Sequence, residues 1–227
     1  MNSSQAFRAW LVDLDGTLYH RLPVQLACGL ELAFGGGKAR RTVMRFRAEH
    51  ENMRRALAEA DELASTLDSG DQNDDDQNDD DQNGTASAYE IQLQGAANAL
   101  GISTTELRGD VELWMHQKPG RWIHQFRRRE LLSEIEYFRA TGGRTALVSD
   151  YPARDKLASL GVASLFDTVV ANGEPGGPSQ LKPAPEGYLR AARALDINPS
   201  ECLVIGDRDD ADGQAARAAG MSFRLIR

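Results

Sequence analysis

The sequence predicts an α/β protein with a Rossmann-like, mainly parallel sheet, helices on both faces and an inserted α-helical segment. Two observations predict this class. Downstream of Arg121, short apolar runs alternate with stretches of helical spacing, which is typical of parallel strands joined by helices. Upstream of it, residues 21–120 are rich in Ala, Arg, Glu and Leu and contain few strand-like runs.

The predicted elements of the sheet region follow from the apolar pattern. Short apolar runs predict strands at Ala9–Val12, Thr145–Val148, Phe166–Ala171, Cys202–Ile205 and Ser222–Ile226. Apolar residues at helical spacing predict helices at Gln125–Ala140, Arg154–Leu160, Glu186–Leu195 and Gln214–Ala219. Gly142, Gly161 and Gly220 follow three of these helices, as expected for helix ends.

The region between the first strand and Arg121 is predicted to be a helical insertion. Its composition predicts one or two helices over Lys38–Leu67 and further helices over Ala88–Leu100 and Thr104–Met115. The expected division is a core of residues 1–20 and 121–227 and a helical cap of residues 21–120.

An acidic repeat, Gly70–Gly84, lies inside this insertion. It has no apolar residue to offset the entropy of ordering, so disorder is expected. A calcium loop of the EF-hand type is the alternative. The pattern Asp79-x-Asp81-x-Asn83-Gly84 followed by Glu90 matches it, although a repeat of Asp and Asn creates such matches by composition alone.

Charge and composition exclude several classes of protein. The net charge is −8, but Asp71–Asn83 alone contains seven Asp, so the rest is nearly balanced and a nucleic-acid-binding surface is not expected. Cys28 and Cys202 are far apart and have no metal-site spacing. Without an 18-residue apolar stretch, a cytoplasmic protein with no membrane partner is expected, as a monomer or homodimer.

The candidate catalytic residues begin at the end of the first strand. Asp13 and Asp15 follow an apolar run, and Gly16 and Thr17 then turn the chain. Ligands bind at strand ends in α/β sheets, and two buried carboxylates require a cation. The pair therefore indicates metal-assisted phosphoryl transfer, with one carboxylate as nucleophile and the other as acid/base. The alternative is an ordinary β-turn formed by Asp15 and Gly16.

Four residues in three downstream stretches complete the pattern. Ser149 ends a strand and has a hydroxyl that suits a phosphate oxygen, or alternatively a helix cap. Lys182 precedes a helix started by Pro185, where it can pair with a carboxylate and a phosphoryl oxygen, or face solvent. Asp207 follows a strand, with Asp212 five residues later, and both suit Mg²⁺ or an acidic turn before a helix.

Together these stretches resemble the haloacid dehalogenase superfamily, and within it the phosphatases with a helical cap, such as phosphoglycolate phosphatases. The resemblance rests on DLDGTLY at 13–19, VSDYP at 148–152, LKPAPEGY at 181–188 and VIGDRDDADGQAARAAGM at 204–221. Arg208 stands where a small residue is often found, and the acidic repeat is not a feature of the family.

The resemblance implies a role for each candidate residue. Asp13 is implied as the nucleophile that forms an aspartyl-phosphate and Asp15 as the general acid and base. Ser149 is implied as a phosphate donor and Lys182 as the cation that neutralises charge. The residues implied as Mg²⁺ ligands are Asp13, the Asp15 carbonyl and Asp207, with Asp212 acting indirectly. Thr17 and Asp150 are assigned with Ser149 and Lys182 to substrate binding.

The expected function is therefore a Mg²⁺-dependent phosphatase acting on a small phosphorylated metabolite. A phosphomutase of the same superfamily is the nearest alternative, since it uses the same intermediate. A 2-haloacid dehalogenase is disfavoured, because it requires neither Mg²⁺ nor an acid at the position of Asp15, and the acid is present here. A non-catalytic binding protein that uses the acidic repeat is the alternative of a different class.

Overall fold

The centre of the computed structural model, which describes residues 7–34, 37–67 and 87–227, is a sheet of five strands. These are β1 (Ala9–Asp13), β2 (Arg144–Ser149), β3 (Thr168–Ala171), β4 (Cys202–Gly206) and β5 (Ser222–Leu225). They are ordered β3-β2-β1-β4-β5, and every pair is parallel. The predicted parallel α/β class is confirmed.

Helices and loops connect the strands. Between β1 and β2 lie α1 (Arg21–Phe34), α2 (Gly37–Leu67), α3 (Ala88–Leu100), α4 (Thr104–Val111), a π-helical turn (Glu112–Gln117), α5 (Gly120–Gln125) and α6 (Arg129–Ala140). After β2 come α7 (Arg154–Leu160), α8 (Glu186–Leu195) and α9 (Gln214–Ala218), with a second π-helical turn at Asp209–Gly213. Short 3₁₀ turns at Ala163–Leu165 and Pro199–Glu201 precede β3 and β4.

Alternate residues of the strands pack on opposite faces of the sheet, as their backbone geometry requires. Val12, Leu147 and Ile205 are buried in a cluster with residues of α6 and α7. Leu11 and Val204 are buried in a second cluster with residues of α8 and α9. The central strands are therefore covered on both faces, which explains why they read as continuous apolar runs.

The predicted boundaries differ from the structure mainly where turns intervene. The helix predicted from Gln125 begins at Arg129, because α5 ends at Gln125 and a turn separates the two. The strand predicted from Phe166 begins at Thr168, although Phe166 is buried against the sheet. Apolar periodicity reports burial, and buried residues occur in turns as well as in strands.

The helices from α1 to α5 form the insertion, residues 21–125, and the two ends of this segment lie side by side next to the sheet. Tyr19 and Arg127 form an isolated antiparallel bridge, and the backbone N–H of His20 donates to the Phe126 carbonyl at 2.9 Å. The expected boundary at residue 120 falls at the first residue of α5.

The insertion has an apolar cluster of its own. Phe46 of α2 packs with Tyr89 and Leu93 of α3 and with Leu107 and Val111 of α4. Serines begin two of these helices, as expected from their side chains: Ser87 accepts from the Glu90 N–H and Ser103 from the Glu106 N–H.

The acidic repeat Gly70–Gly84 lies outside the described residues. Of the EF-hand pattern, only Glu90 is described, and its carboxylate pairs with Arg108 at 2.6 Å. Among the helices of the described ranges, none is long and apolar enough to cross a membrane.

Candidate active site

Three strand ends bring the candidate residues to one edge of the sheet. Asp13 is the last residue of β1, Ser149 is the last residue of β2, and Asp207 directly follows β4. β1 lies between β2 and β4, so their carboxyl ends are neighbours. This is the edge at which parallel sheets bind ligands.

The turn after β1 depends on Gly16. Its φ of +103° is a conformation that side chains disfavour, and a Cβ there would overlap the Asp207 carboxylate. Glycine therefore permits both the reversal of the chain after Asp15 and the approach of Asp207 to the end of β1.

Asp13 is buried and held by two donors. The Thr17 hydroxyl donates to Oδ2 at 2.8 Å, and Lys182 Nζ donates to Oδ1 at 2.6 Å. Thr17, assigned from sequence to substrate binding, is fully buried and does not line the pocket described below. Its hydroxyl orients the candidate nucleophile, and a direct role in substrate binding stays a prediction.

Lys182 joins Asp13 to Asp212. Its Nζ also donates to Asp212 Oδ1 at 2.8 Å, and Tyr188 OH donates to the same oxygen at 2.8 Å. Burial alone would lower the pKa of Lys182, but Asp13 and Asp212 outweigh burial and hold the pKa well above its usual value. Lys182 is therefore a fixed buried cation.

Three carboxylates form a cluster suited to a cation. One oxygen each from Asp13, Asp207 and Asp212 lies within 4.8 Å of the others. Burial, followed by repulsion between carboxylates, raises the pKa of Asp13 to about 8 and also raises the pKa of Asp207. Asp207 makes no hydrogen bond or ion pair through its side chain within the described ranges. The cluster thus carries more negative charge than Lys182 balances, and a divalent cation with oxygen ligands fits it.

Asp212 has fewer free acceptor positions than Asp207. Besides its two donors on Oδ1, the backbone N–H of Arg208 donates to its Oδ2 at 3.2 Å. This arrangement suits the indirect role expected for Asp212, in which it positions Lys182 and the loop after β4.

Asp15 has different partners from Asp13. Lys156 Nζ, from α7, lies 2.6 Å from both carboxylate oxygens, and Tyr19 OH donates to Oδ1. Burial alone would raise the pKa of Asp15, but Lys156 and Tyr19 outweigh it, so the pKa is lowered. Asp15 is therefore ionised in this arrangement, the form that accepts a proton.

The loop after β2 contributes Ser149 and Asp150, which both line the pocket. Ser149 Oγ accepts from the Tyr151 N–H at 3.2 Å, which leaves its own hydroxyl proton available to donate. Asp150 Oδ1 accepts from the backbone N–H of Lys182 at 3.1 Å. Asp150 thereby links the loop that contains Lys182 to the carboxyl end of β2.

A cavity of about 320 Å³ opens above these residues. The strand-end loops form one side of it, and the insertion forms the other through α1, α2, α5 and the π-helical turn at Glu112–Gln117. The volume is at the lower end of the range for small-molecule sites. Seven of the eight sequence-assigned residues line it: Asp13, Asp15, Ser149, Asp150, Lys182, Asp207 and Asp212.

The sequence did not reveal three residues that complete the site. Lys156, Tyr188 and Arg54 are each at least nine-tenths buried and contact Asp15, Asp212 and Asp210 respectively. In sequence, each lies in an ordinary amphipathic helix. Only the packing of those helices shows where they point.

Known proteins similar to this chain were found at the levels of family, sequence and fold. A family model described as haloacid dehalogenase-like hydrolase matches residues 7–220. Fructose-1-phosphate phosphatase YqaB of Escherichia coli is 40% identical over 87 residues, 38% of this chain and 42% of that protein. Glyceraldehyde 3-phosphate phosphatase of Methanopyrus kandleri is 40% identical over 73 residues, 32% of this chain and 30% of that protein. The matched segments thus span less than half of these relatives.

Among solved structures, L-2-haloacid dehalogenase of Xanthobacter autotrophicus aligns with a TM-score of 0.59 at 16% identity. The alignment covers 97% of this chain and 77% of that one. At this identity the likeness shows a common fold.

Proposed function

The chain belongs to the haloacid dehalogenase-like hydrolase family, and on that basis we propose that it is a Mg²⁺-dependent phosphatase. Its substrate is a small phosphorylated metabolite, and the reaction passes through an aspartyl-phosphate on Asp13. The phosphatase names of the relatives YqaB and glyceraldehyde 3-phosphate phosphatase support this proposal.

The observation that carries the proposal is the separation of the two strand-end aspartates into different environments. Asp13 contacts Lys182 and belongs to the carboxylate cluster, whereas Asp15 contacts Lys156 and Tyr19. Pairs of acids in unlike environments divide the roles of nucleophile and acid/base between them.

In the first step, a carboxylate oxygen of Asp13 attacks phosphorus. The bond from phosphorus to the ester oxygen breaks as the bond to Asp13 forms, and the leaving oxygen takes a proton from Asp15. Lys182 and Ser149 line the pocket at Asp13 and stabilise the charge that develops on the phosphoryl oxygens. Asp15 must carry a proton for this step.

In the second step, Asp15 accepts a proton from water, and the water oxygen attacks phosphorus. The bond between phosphorus and Asp13 breaks, which releases inorganic phosphate and regenerates the Asp13 carboxylate. The ionised form of Asp15, which Lys156 favours, is the form that this step requires. The same residue thus serves as acid and then as base.

Mg²⁺, held by Asp13, the Asp15 carbonyl and Asp207, would lower the repulsion between the phosphate dianion and the carboxylates. We further propose that the insertion is a cap domain over this site, because it forms one side of the cavity. A closed cap excludes bulk water from the intermediate until Asp15 activates one molecule.

The proposal is tested by release of inorganic phosphate from p-nitrophenyl phosphate and a panel of phosphorylated metabolites, with Mg²⁺ or with EDTA. We expect activity with Mg²⁺ only, and none from Asp13→Asn. Asp196→Asn is the matched control, because Asp196 is exposed and does not line the pocket. Turnover without Mg²⁺, or wild-type turnover by Asp13→Asn, would contradict the proposal. An isomerised phosphate ester without free phosphate would indicate a phosphomutase instead.

A further inference from the structure

The cavity extends well beyond the residues that contact a reacting phosphoryl group. On the helices of the insertion, the charged lining residues that the structure describes are three arginines, Arg21, Arg47 and Arg54, and one carboxylate, Glu51. A site built only for the phosphoryl group requires no such excess of arginine at its far side.

Arg54 is the arginine that the structure holds most firmly. It is 8% exposed, its Nε contacts Glu51 at 3.4 Å, and its Nη2 donates to Asp210 at 3.0 Å. These two carboxylates orient the guanidinium from two sides. Its Nη1 is buried and has no hydrogen-bond partner within the described part of the chain.

A buried guanidinium nitrogen without a partner is unfavourable, and native structures rarely leave one. Arginine is also the side chain best suited to bind the oxygens of a carboxylate or phosphate. Since Arg54 lines the pocket, an anionic ligand in the pocket is a natural partner for its guanidinium group.

Arg47 adds a second guanidinium on the same face of α2. Residues seven apart lie two turns apart on one side of a helix, and both Arg47 and Arg54 line the pocket. Arg47 is exposed and forms no ion pair with any residue in the described ranges. Its charge is therefore available to the same ligand.

We propose that Arg54 and Arg47 form a subsite for a second anionic group of the substrate. This inference rests on the proposed phosphatase function and names its substrate class. The substrate is a phosphomonoester that carries a carboxylate or a further phosphate, rather than a sugar phosphate without a second anionic group. The first phosphate binds at Asp13, and the second anion binds at the guanidinium groups of α2.

Two matched pairs of substrates test the subsite. 3-Phosphoglycerate differs from glyceraldehyde 3-phosphate by a carboxylate, and fructose 1,6-bisphosphate differs from fructose 1-phosphate by a phosphate. We expect wild-type kcat/KM to be about tenfold or more higher for the doubly anionic member of at least one pair. The pair that shows the preference distinguishes a carboxylate from a phosphate.

Variants assign the preference to residues. Arg54→Met is expected to lower kcat/KM about 10- to 100-fold for the member with two anionic groups and less than about threefold for the member with the phosphate alone. Arg54→Lys should recover part of the loss. Arg47→Met, at an exposed position that does not endanger folding, should reduce the preference in the same direction. Arg55→Met is the control, because Arg55 is the next residue on α2 but does not line the pocket.

Equal losses on both members of each pair, or no wild-type preference in either pair, would overturn the subsite while leaving the phosphatase function intact. If none of the four esters is hydrolysed and p-nitrophenyl phosphate is not hydrolysed either, both the subsite and the phosphatase function are overturned.

Discussion

At the scale of single residues, the contact between Lys156 and Asp15 determines how the candidate acid/base is held. Lys156 is 5% exposed and lies equally close to both oxygens of the carboxylate. A bidentate contact of this kind fixes the plane of the carboxyl group, and small misplacements of catalytic groups are costly. The sequence places Lys156 within Arg154–Leu160, where a lysine on an amphipathic helix is expected to face solvent. Asp13 and Asp15 were recognisable because their motif is local, whereas Lys156 lies 141 positions away from its partner.

Replacing Lys156 with Met should therefore affect proton transfer more than substrate binding. We expect kcat/KM for an alkyl phosphate to fall about 10- to 100-fold. For p-nitrophenyl phosphate, whose leaving group requires little protonation, it should fall less than about threefold. The measurement is the initial rate of phosphate release from both esters, for wild type and variant.

Lys156→Arg retains the cation and should recover part of the alkyl phosphate activity. Lys38→Met is the control, because Lys38 is exposed and, among the residues that the structure describes, forms its ion pair with Glu106, away from the pocket. Equal losses on both esters would contradict a positioning role for Lys156.

At the scale of elements, the loops after β1, β2 and β4 hold the candidate catalytic residues, and the helices of the insertion form the opposite wall of the pocket. The strand ends were predictable because apolar runs that stop at acids are visible in sequence. Helix α1 was not assigned separately, although Arg21, Val24 and Cys28 from it line the pocket. The π-helical turn at Glu112–Gln117 was also not predictable, because it continues the apolar pattern of α4 with a different backbone.

The turn after β1 gives a test at this scale. Gly16→Ala should destabilise the protein by about 1–3 kcal/mol, because alanine disfavours a φ of +103° and its Cβ would displace the Asp207 carboxylate. Phosphatase activity should fall with it, since Asp207 is a candidate metal ligand. Urea unfolding and phosphate release measure the two effects.

Gly109→Ala is the matched glycine control. Gly109 lies within α4, and a Cβ there has no neighbour within 4 Å, so alanine should stabilise the protein by about 0.5–1 kcal/mol. A Gly16→Ala variant with wild-type stability and activity would show that the turn does not need glycine.

At the scale of the whole molecule, the pocket is assembled from segments that are distant in sequence. β1 is central in the sheet, so its carboxyl end lies beside the ends of both β2 and β4. The insertion that follows β1 forms the opposite side of the pocket. Strand order is set by packing on both faces of the sheet, which the apolar runs do not specify, so it could not be derived from the sequence. The helical composition of the insertion was predictable, but the contact between Tyr89 of α3 and Asn172 after β3, which joins the insertion to the core, was not.

The buried histidine of the insertion predicts an effect of pH on global stability. Burial, assisted by Lys156, lowers the pKa of His116 from 6.5 to about 3. Below pH 6.5 the unfolded chain binds a proton that folded His116 does not, so stability is lost as the pH falls toward 3. Compared with His116→Gln, wild type should lose about 2 kcal/mol more between pH 6.5 and 4.5.

Urea unfolding of both proteins at a series of pH values gives this difference directly. Contributions from other groups, including Asp13, are common to the two proteins and cancel. Parallel pH profiles for wild type and His116→Gln would contradict a buried, neutral His116.

The most direct test of the central claim is to locate the phosphoryl group on the enzyme during turnover. Wild-type protein with Mg²⁺ and a hydrolysed ester is quenched in acid within the first turnover, and its peptides are mapped by mass spectrometry. The account predicts a phosphoryl group on the peptide that contains Asp13, at Asp13 itself, and none on the same peptide from Asp13→Asn. Rapid turnover with Asp13 unmodified, or with the phosphoryl group on another residue, would contradict it.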